Sequence, residues 1–123
     1  YQRITLSQQD IREIQMAKSA IRAGIESLIE RSGISRQRVH QVFLAGGFGY
    51  YLDPQKAAVI GLLPADLAER TTAVGNTSLK GAIGLLTGAV TLEELQAIAA
   101  GVEEIVLGND EAFQRLYIDY LNF

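Results

Sequence analysis

The sequence contains no cysteine and a single histidine, His40, among its 123 residues. The absence of cysteine excludes disulfides, thiolate zinc sites, cysteine-ligated iron–sulfur clusters and cysteine nucleophiles within these residues. One histidine excludes any site that needs two imidazoles. No pair of carboxylates stands in a pattern typical of general acid–base catalysis. We therefore predict neither a catalytic residue nor a metal ligand in this stretch of chain.

Long hydrophobic runs and an excess of positive charge are also missing. No apolar run approaches the roughly 20 residues of a membrane-spanning helix. Lys and Arg number 11 against 14 Asp and Glu, a net charge of −3, whereas nucleic-acid-binding domains usually carry a basic face. We expect no membrane and no nucleic-acid partner. Since the chain starts at Tyr1 without Met or a signal peptide, we expect residues 1–123 to be one cytoplasmic domain of a longer protein.

Helical periodicity alternates with short apolar segments along the chain. The longest predicted helix, Ser7 to Arg31, begins at a capping box formed by Ser7 and Asp10 and carries one apolar face. That face comprises Ile11, Ile14, Ala17, Ile21, Ile25, Leu28 and Ile29. Later helices are predicted from Pro54 to about Gly61, from Asn76 to about Thr87, from Thr91 to Gly101 and after Asn109 or Asp110.

Strands are predicted at Val39 to Ala45, Thr71 to Val74 and Glu103 to Leu107, and more weakly at Tyr1 to Leu6. The continuous apolar run Val42 to Ala45 is typical of a central strand covered on both faces. The alternation predicts an α/β fold, a small, mainly parallel sheet with helices on both faces.

A glycine cluster, Gly46, Gly47 and Gly49, follows the predicted central strand. Glycines there let the backbone approach a ligand, and ligands of open α/β sheets bind beyond the carboxyl ends of the strands. The pattern is neither G-x-G-x-x-G, because Leu52 occupies the third glycine position, nor a Walker A loop. Two interpretations stay open. One is a nucleotide site with positive φ at Gly47, and the other is only a tight turn.

Three polar side chains lie one turn apart on the long helix, namely Gln15, Lys18 and Arg22. They flank the apolar face, so they are placed to reach a ligand beside the helix. The alternative is a solvated face whose aliphatic stems pack along the core edge. Tyr50 and Tyr51 follow the glycines and, if exposed, suit a partner or an adenine ring.

Two segments resemble motifs of the actin, sugar-kinase and heat-shock chaperone ATPase superfamily. Val42 to Gly49, VFLAGGFG, resembles its adenosine motif, and Gly75 to Ala82, GNTSLKGA, resembles its later connecting helix. Together with Ile11 to Ile25 and Ile60 to Pro64, they resemble the C-terminal domain of the ferredoxin-like reductive activators of corrinoid enzymes. The resemblance covers Ile4 to Phe123, nearly the whole chain.

This resemblance implies an actin-like ATPase, ribonuclease H-like half-domain. In the full-length protein, ATP with Mg would bind between two such halves. The adenosine would lie near Gly46, Gly47, Phe48 and Gly49, and the helix carrying Gln15, Lys18 and Arg22 would face the same cleft. The superfamily's phosphate-binding Asp-x-Gly motif is absent from this sequence, so the chain alone is expected to be inactive.

The resemblance also implies a redox role for the whole protein. An iron–sulfur cluster in a separate N-terminal, ferredoxin-like domain would pass an electron to a cobalt(II) corrinoid and return it to cobalt(I), driven by ATP. The implied partners are a corrinoid protein or corrinoid-dependent methyltransferase, the remaining domains of the same chain, and a second copy in a homodimer. The alternative is a non-catalytic interaction or dimerisation module that has lost nucleotide binding.

Overall fold

The computed structural model describes residues 4–123, and for Phe48 the backbone only. Six α-helices and two strands follow one another within this range. The elements are α1 Gln8–Ser32, β1 Val42–Ala45, α2 Gly47–Tyr50, α3 Pro54–Val59, β2 Thr71–Gly75, α4 Thr77–Leu86, α5 Leu92–Ala100 and α6 Glu111–Asp119. Short 3₁₀ turns lie at Arg36–Arg38, Ala65–Arg70 and Leu107–Asn109. The predicted helices are confirmed, with ends shifted by a residue or two.

Side-chain caps account for most of the helix starts. Ser7 and Asp10 form the predicted capping box of α1, and Thr91 and Glu94 form that of α5. Asp110 accepts from two backbone N–H groups at the start of α6. Each cap satisfies amides that have no partner within the helix, which is why these boundaries are readable from sequence.

Strands β1 and β2 form a two-stranded parallel sheet. Val42 pairs with Thr71 and Leu44 with Ala73, and a register shift then places Ala45 opposite Gly75. The strand predicted at Thr71 to Val74 is confirmed. The strand predicted at Val39 to Ala45 is confirmed only over Val42–Ala45.

Two predictions about strands are wrong. Residues 103–106 are irregular and lead into a 3₁₀ turn, because Val106 and the preceding Val102 stay exposed instead of packing into the sheet. The strand β1 is not covered on both faces, since Leu44 faces the core whereas Phe43 is 60% exposed. Of the weak N-terminal strand, residues 1–3 lie outside the described range and residues 4–6 are irregular.

The apolar core is small and lies between α1, β1 and the turn after α3. Its centre is Ala57, Leu62 and Leu63, against which Ile25, Leu44 and Leu52 pack. Gly61, with φ 78°, turns the chain after α3 and brings the two leucines into this cluster. The core thereby anchors β1 and α3, the elements on either side of the glycine cluster.

Helix α1 packs mainly against α6, on a side that its apolar pattern does not indicate. Its buried residues are Lys18, Ser19, Ala23, Gly24 and Ser27. Ile14, Ile21 and Leu28 of the predicted apolar face are instead 42%, 43% and 53% exposed. Small side chains let the backbone of α6 approach closely, and the Ser19 hydroxyl donates to the Tyr117 carbonyl. The prediction that α1 buries its apolar face is therefore wrong for these three residues.

Candidate functional site

A cavity of about 370 Å³ opens at the carboxyl ends of β1 and β2. Its walls come from α2, from the turn after β2 and from α4. The described lining residues are Gly47, Tyr50, Tyr51, Val74, Gly75, Asn76, Leu79, Lys80 and Ile83. Apolar and glycine residues predominate. This is the position at which open α/β sheets bind ligands, and such a lining is typical of small-molecule sites.

Two glycine turns, at the carboxyl ends of β1 and β2, lie side by side, and Gly75 of the second turn lines the cavity. Gly46 has φ 99° and Gly75 has φ 73°, values that L side chains rarely adopt. The Gly46 N–H donates to the Gly75 carbonyl at 2.8 Å, so the two turns are joined directly. Since both turns follow paired strands, the sheet register fixes their relative position.

Tyr50 forms one wall of the cavity and also explains why residue 75 is glycine. A Cβ on Gly75 would lie 3.3 Å from Tyr50 Cδ2, so the ring occupies the space of a side chain. The rings of Tyr50 and Tyr51 meet edge to face, with centroids 5.0 Å apart and an interplanar angle of 88°. Both rings are exposed, so their surfaces are open to a flat, apolar ligand.

The predicted glycine cluster divides into residues with different roles. Gly46 makes the turn, Gly47 lines the cavity, and Gly49 is buried behind Leu44. The side chain of Phe48 lies outside the described structure. The residue of this cluster with positive φ is Gly46. The prediction of positive φ at Gly47 is wrong, because Gly47 is the first residue of the one-turn helix α2. A Cβ on Gly47 would meet no described atom within 4 Å.

Lys18 lies against the end of α6, and none of the described lining residues of the cavity comes from α1. Its Nζ donates to the carbonyls of Tyr120 at 2.7 Å and Asn122 at 2.6 Å and stands 5.0 Å from the ring centroid of Phe123. The residue is only 2% exposed. Burial lowers the pKa of Lys18, and the nearby positive charge of Arg22 lowers it further. A solvated position for this lysine is therefore excluded.

Arg22 is likewise engaged in the fold. Its Nε donates to Glu26 Oε1 at 2.8 Å, its Nη1 donates to the Leu63 carbonyl at 3.0 Å, and its guanidinium lies 4.7 Å from the ring centroid of Tyr120. Gln15, one turn before Lys18, is half-buried. The structure thus brings Lys18 and Arg22 together around the end of α6, and brings Gly46 and Gly47 together at the cavity.

Lys80 and the apolar residues of α4 belong to the cavity but are not among the residues predicted as a site. Leu79 and Ile83 present one apolar face of α4, and Lys80 Nζ donates to the Val74 carbonyl at 2.8 Å. The feature of the sequence that could have indicated this part of the cavity is Gly75–Asn76, a second glycine turn between a strand and a helix cap. Two such turns on parallel neighbours meet at one edge of the sheet.

The described part of the chain contains neither a cluster of metal ligands nor a helix that could span a membrane. Within residues 4–123, no three His, Asp or Glu side chains stand close enough together to hold a metal ion. Among the described helices, none combines the length and the apolar character needed to cross a bilayer.

Curated relatives match most of this chain. A corrinoid activation enzyme, RamQ, of Eubacterium limosum is 33% identical over 115 residues, which is 94% of this chain and 19% of that protein. A [Co(II) methylated amine-specific corrinoid protein] reductase of Methanosarcina barkeri is 29% identical over 122 residues, covering 98% of this chain and 22% of that protein. The chain thus spans about a fifth of the length of either relative.

A family match covers the entire sequence. Residues 1–123 match the family described as the C-terminal domain of RACo, the ASKHA domain. The two-stranded parallel sheet flanked by helices fits the α/β class expected from the sequence. The chain therefore belongs to the family of RACo C-terminal, ASKHA domains.

Proposed function

We propose that this chain is the C-terminal nucleotide-binding domain of an iron–sulfur protein that uses ATP to drive the reduction of a cobalt(II) corrinoid to cobalt(I). In this proposal the chain is one half of an actin-like, ribonuclease H-like ATPase. The observation that carries it is the cavity between Tyr50 and α4, whose lining includes Gly75, the glycine turn that is hydrogen-bonded to the turn at Gly46. The adenosine portion of ATP would occupy this cavity.

The residues present fit a nucleoside. Tyr50 and Tyr51 offer aromatic surface for a flat base, and Leu79 and Ile83 offer apolar surface opposite them. Gly47, which has no side chain, leaves room for a ligand to approach the backbone. When bound, ATP supplies the free energy of phosphoryl transfer, and the residues of this chain bind and orient its adenosine.

Other parts of the proposed machine must come from other segments of the protein. Phosphoryl transfer depends on Mg²⁺ and positioned cations, and the described residues offer no cluster of metal ligands. The sequence has no cysteine, so cysteines elsewhere would hold the iron–sulfur cluster. The corrinoid protein as electron acceptor is proposed from the printed names of the two relatives, which describe corrinoid activation and reduction of a Co(II) corrinoid protein.

The test compares Gly47→Val with Gly81→Val in the full-length protein. Both glycines lie in helices without positive φ, and neither would place a Cβ within 4 Å of a described atom. Only Gly47 lines the cavity. We expect Gly47→Val to weaken ATP binding in calorimetry and to slow the appearance of cobalt(I) absorbance, at a melting temperature close to that of Gly81→Val. Equal ATP affinity in the two variants would refute adenosine binding at this cavity.

A second candidate function is dimerisation, favoured by a large total accessible surface and by an exposed apolar stripe on α1. The accessible surface is 9399 Å², against about 6,500 Å² expected for a folded monomer of 13.4 kDa. Ile14, Ile21 and Leu28 form an exposed stripe along α1 at seven-residue spacing. If this stripe forms the dimer interface, Ile21→Glu would lower the molecular mass measured by light scattering and would leave ATP affinity unchanged. A monomeric wild-type protein would exclude the dimer.

A further inference from the structure

The charge of the cavity lining is concentrated on one side chain. Of the nine described lining residues, Lys80 alone carries a charge. Asn76 also lines the cavity, but its side-chain oxygen already accepts from the Leu79 N–H at 3.0 Å as the cap of α4. An ammonium has three N–H donors, and Lys80 uses one of them on the Val74 carbonyl. Among the described residues Lys80 has no other acceptor and the residue is exposed, so two donors stand open to solvent or to a ligand at this rim.

The hydrogen bond to Val74 fixes where this ammonium stands. Lys80 lies in the first turns of α4, and its side chain reaches back six residues to the last carbonyl before the Gly75 turn. This hydrogen bond therefore holds the Lys80 ammonium at the carboxyl end of β2, where the cavity opens. In the described part of the chain, no carboxylate lies within 4.0 Å of Lys80 Nζ to neutralise it.

A lone ammonium at the rim of a mostly apolar and otherwise uncharged cavity matches a ligand with an apolar body and an anionic end. We propose that Lys80 binds the phosphate chain of the nucleotide whose adenosine occupies the cavity. This inference rests on the proposed nucleotide-binding function and adds a residue that contacts the ligand. Lys80 acts as a point charge toward phosphate oxygens, a common role for lysine in nucleotide sites.

The test exploits ligands that differ only in phosphate. ATP, ADP and adenosine are titrated calorimetrically into full-length wild-type protein, Lys80→Met and Lys56→Met. Lys56 is the matched control, because its side chain is 86% exposed on α3 and its Nζ lies 3.7 Å from Asp53 Oδ2. We expect Lys80→Met to weaken ATP and ADP binding about ten-fold and adenosine binding hardly at all, since one charge-assisted hydrogen bond is lost. Lys80→Arg should recover part of the ATP affinity.

The outcomes separate the two proposals. An equal loss of ATP and adenosine affinity in Lys80→Met would give Lys80 a structural role through Val74 and overturn the inference. Unchanged ATP affinity would overturn it as well, while leaving the nucleotide site intact. If the wild-type protein bound neither ATP nor adenosine, the proposed function itself would fail and this inference with it. Weaker dependence of ATP affinity on salt in Lys80→Met would support the charge contact directly.

Discussion

Lys18 Nζ donates to the Tyr120 carbonyl across 2.7 Å, joining two residues that are 102 positions apart in the sequence. Tyr120 follows the last turn of α6, where helix carbonyls have no intrahelical partner. A cation there also complements the negative end of the helix dipole. Lys18, which belongs to α1, therefore acts as the C-terminal cap of α6.

Replacing Lys18 should destabilise the fold. Lys18→Met keeps an unbranched apolar stem but leaves the carbonyls of Tyr120 and Asn122 without their donor. We expect a loss of about 1–3 kcal/mol in the free energy of unfolding by urea. Lys56→Met, an exposed lysine, should change it little. Wild-type stability combined with weaker ATP binding would contradict the structural role and support the predicted contact of Lys18 with nucleotide.

Gly75 should not tolerate a side chain. Alanine at φ 73° is strained, and its Cβ would lie 3.3 Å from the Tyr50 ring. We expect Gly75→Ala to lower the free energy of unfolding by about 1–3 kcal/mol. In contrast, Gly81→Ala in α4 should stabilise the protein by about 0.5–1 kcal/mol. A Cβ has free space at this position, and alanine has a higher helix propensity than glycine. Equal effects on thermal unfolding at the two positions would show that the turn at Gly75 is not constrained.

Acid should weaken the start of α6 through Asp110. The Arg31 side chain, which hydrogen-bonds this carboxylate, and the backbone N–H groups of Phe113 and Ala112 hold the pKa of Asp110 below its usual range. Because the folded pKa is the lower one, the stabilisation is present above the ordinary pKa of the carboxyl group and is lost as pH falls through the lowered value.

The variant Asp110→Asn keeps the capping oxygen and removes the charge. Its melting temperature should lie below that of the wild type at about pH 6, and the difference should shrink as the pH falls below about 3.9, the ordinary pKa of an Asp carboxyl. The other capping carboxylates titrate in both proteins, so the difference isolates Asp110. A constant difference across this range would rule out a contribution from the carboxylate charge.

The chain alone should hydrolyse ATP at a negligible rate. The sequence has no Asp-x-Gly phosphate motif, and the described residues offer no metal-ligand cluster. Phosphate release by purified residues 1–123 should equal that of a buffer blank, and the Lys80→Met variant serves as a contamination control. Turnover that disappears in Lys80→Met would show that this chain carries a complete hydrolytic site.

Local signals explain what could be predicted of this fold. Caps such as Ser7 with Asp10 and Thr91 with Glu94 satisfy amides within a few residues, so helix starts follow from nearby sequence. The apolar run at Val42–Ala45 likewise marks a strand wherever its partner lies. The glycines after this run correctly indicate a sharp turn, and the structure adds that a cavity opens beside Gly47.

The errors all concern which element packs against which. Periodicity indicates that Ile14, Ile21 and Leu28 share a face of α1, but it does not show which face α6 covers. The burial of Lys18 depends on carbonyls about a hundred residues away, so no local pattern contains it. The positive φ belongs to Gly46, not Gly47, because the register shift at Ala45 decides where the chain leaves the sheet.

The pairing of α1 with α6 also determines the order of events during synthesis. Helix α1 is translated long before α6 and holds the Lys18 ammonium, whose carbonyl partners belong to Tyr120 and Asn122. Until those residues have been translated and released, Lys18 and Ser19 remain hydrated, whereas Arg22 and Ile25 already have their partners around Leu63. Strands β1 and β2 can also pair well before that. We therefore expect the sheet and its contact with the second half of α1 to form first on the nascent chain, and α6 to dock against Lys18 and Ser19 last.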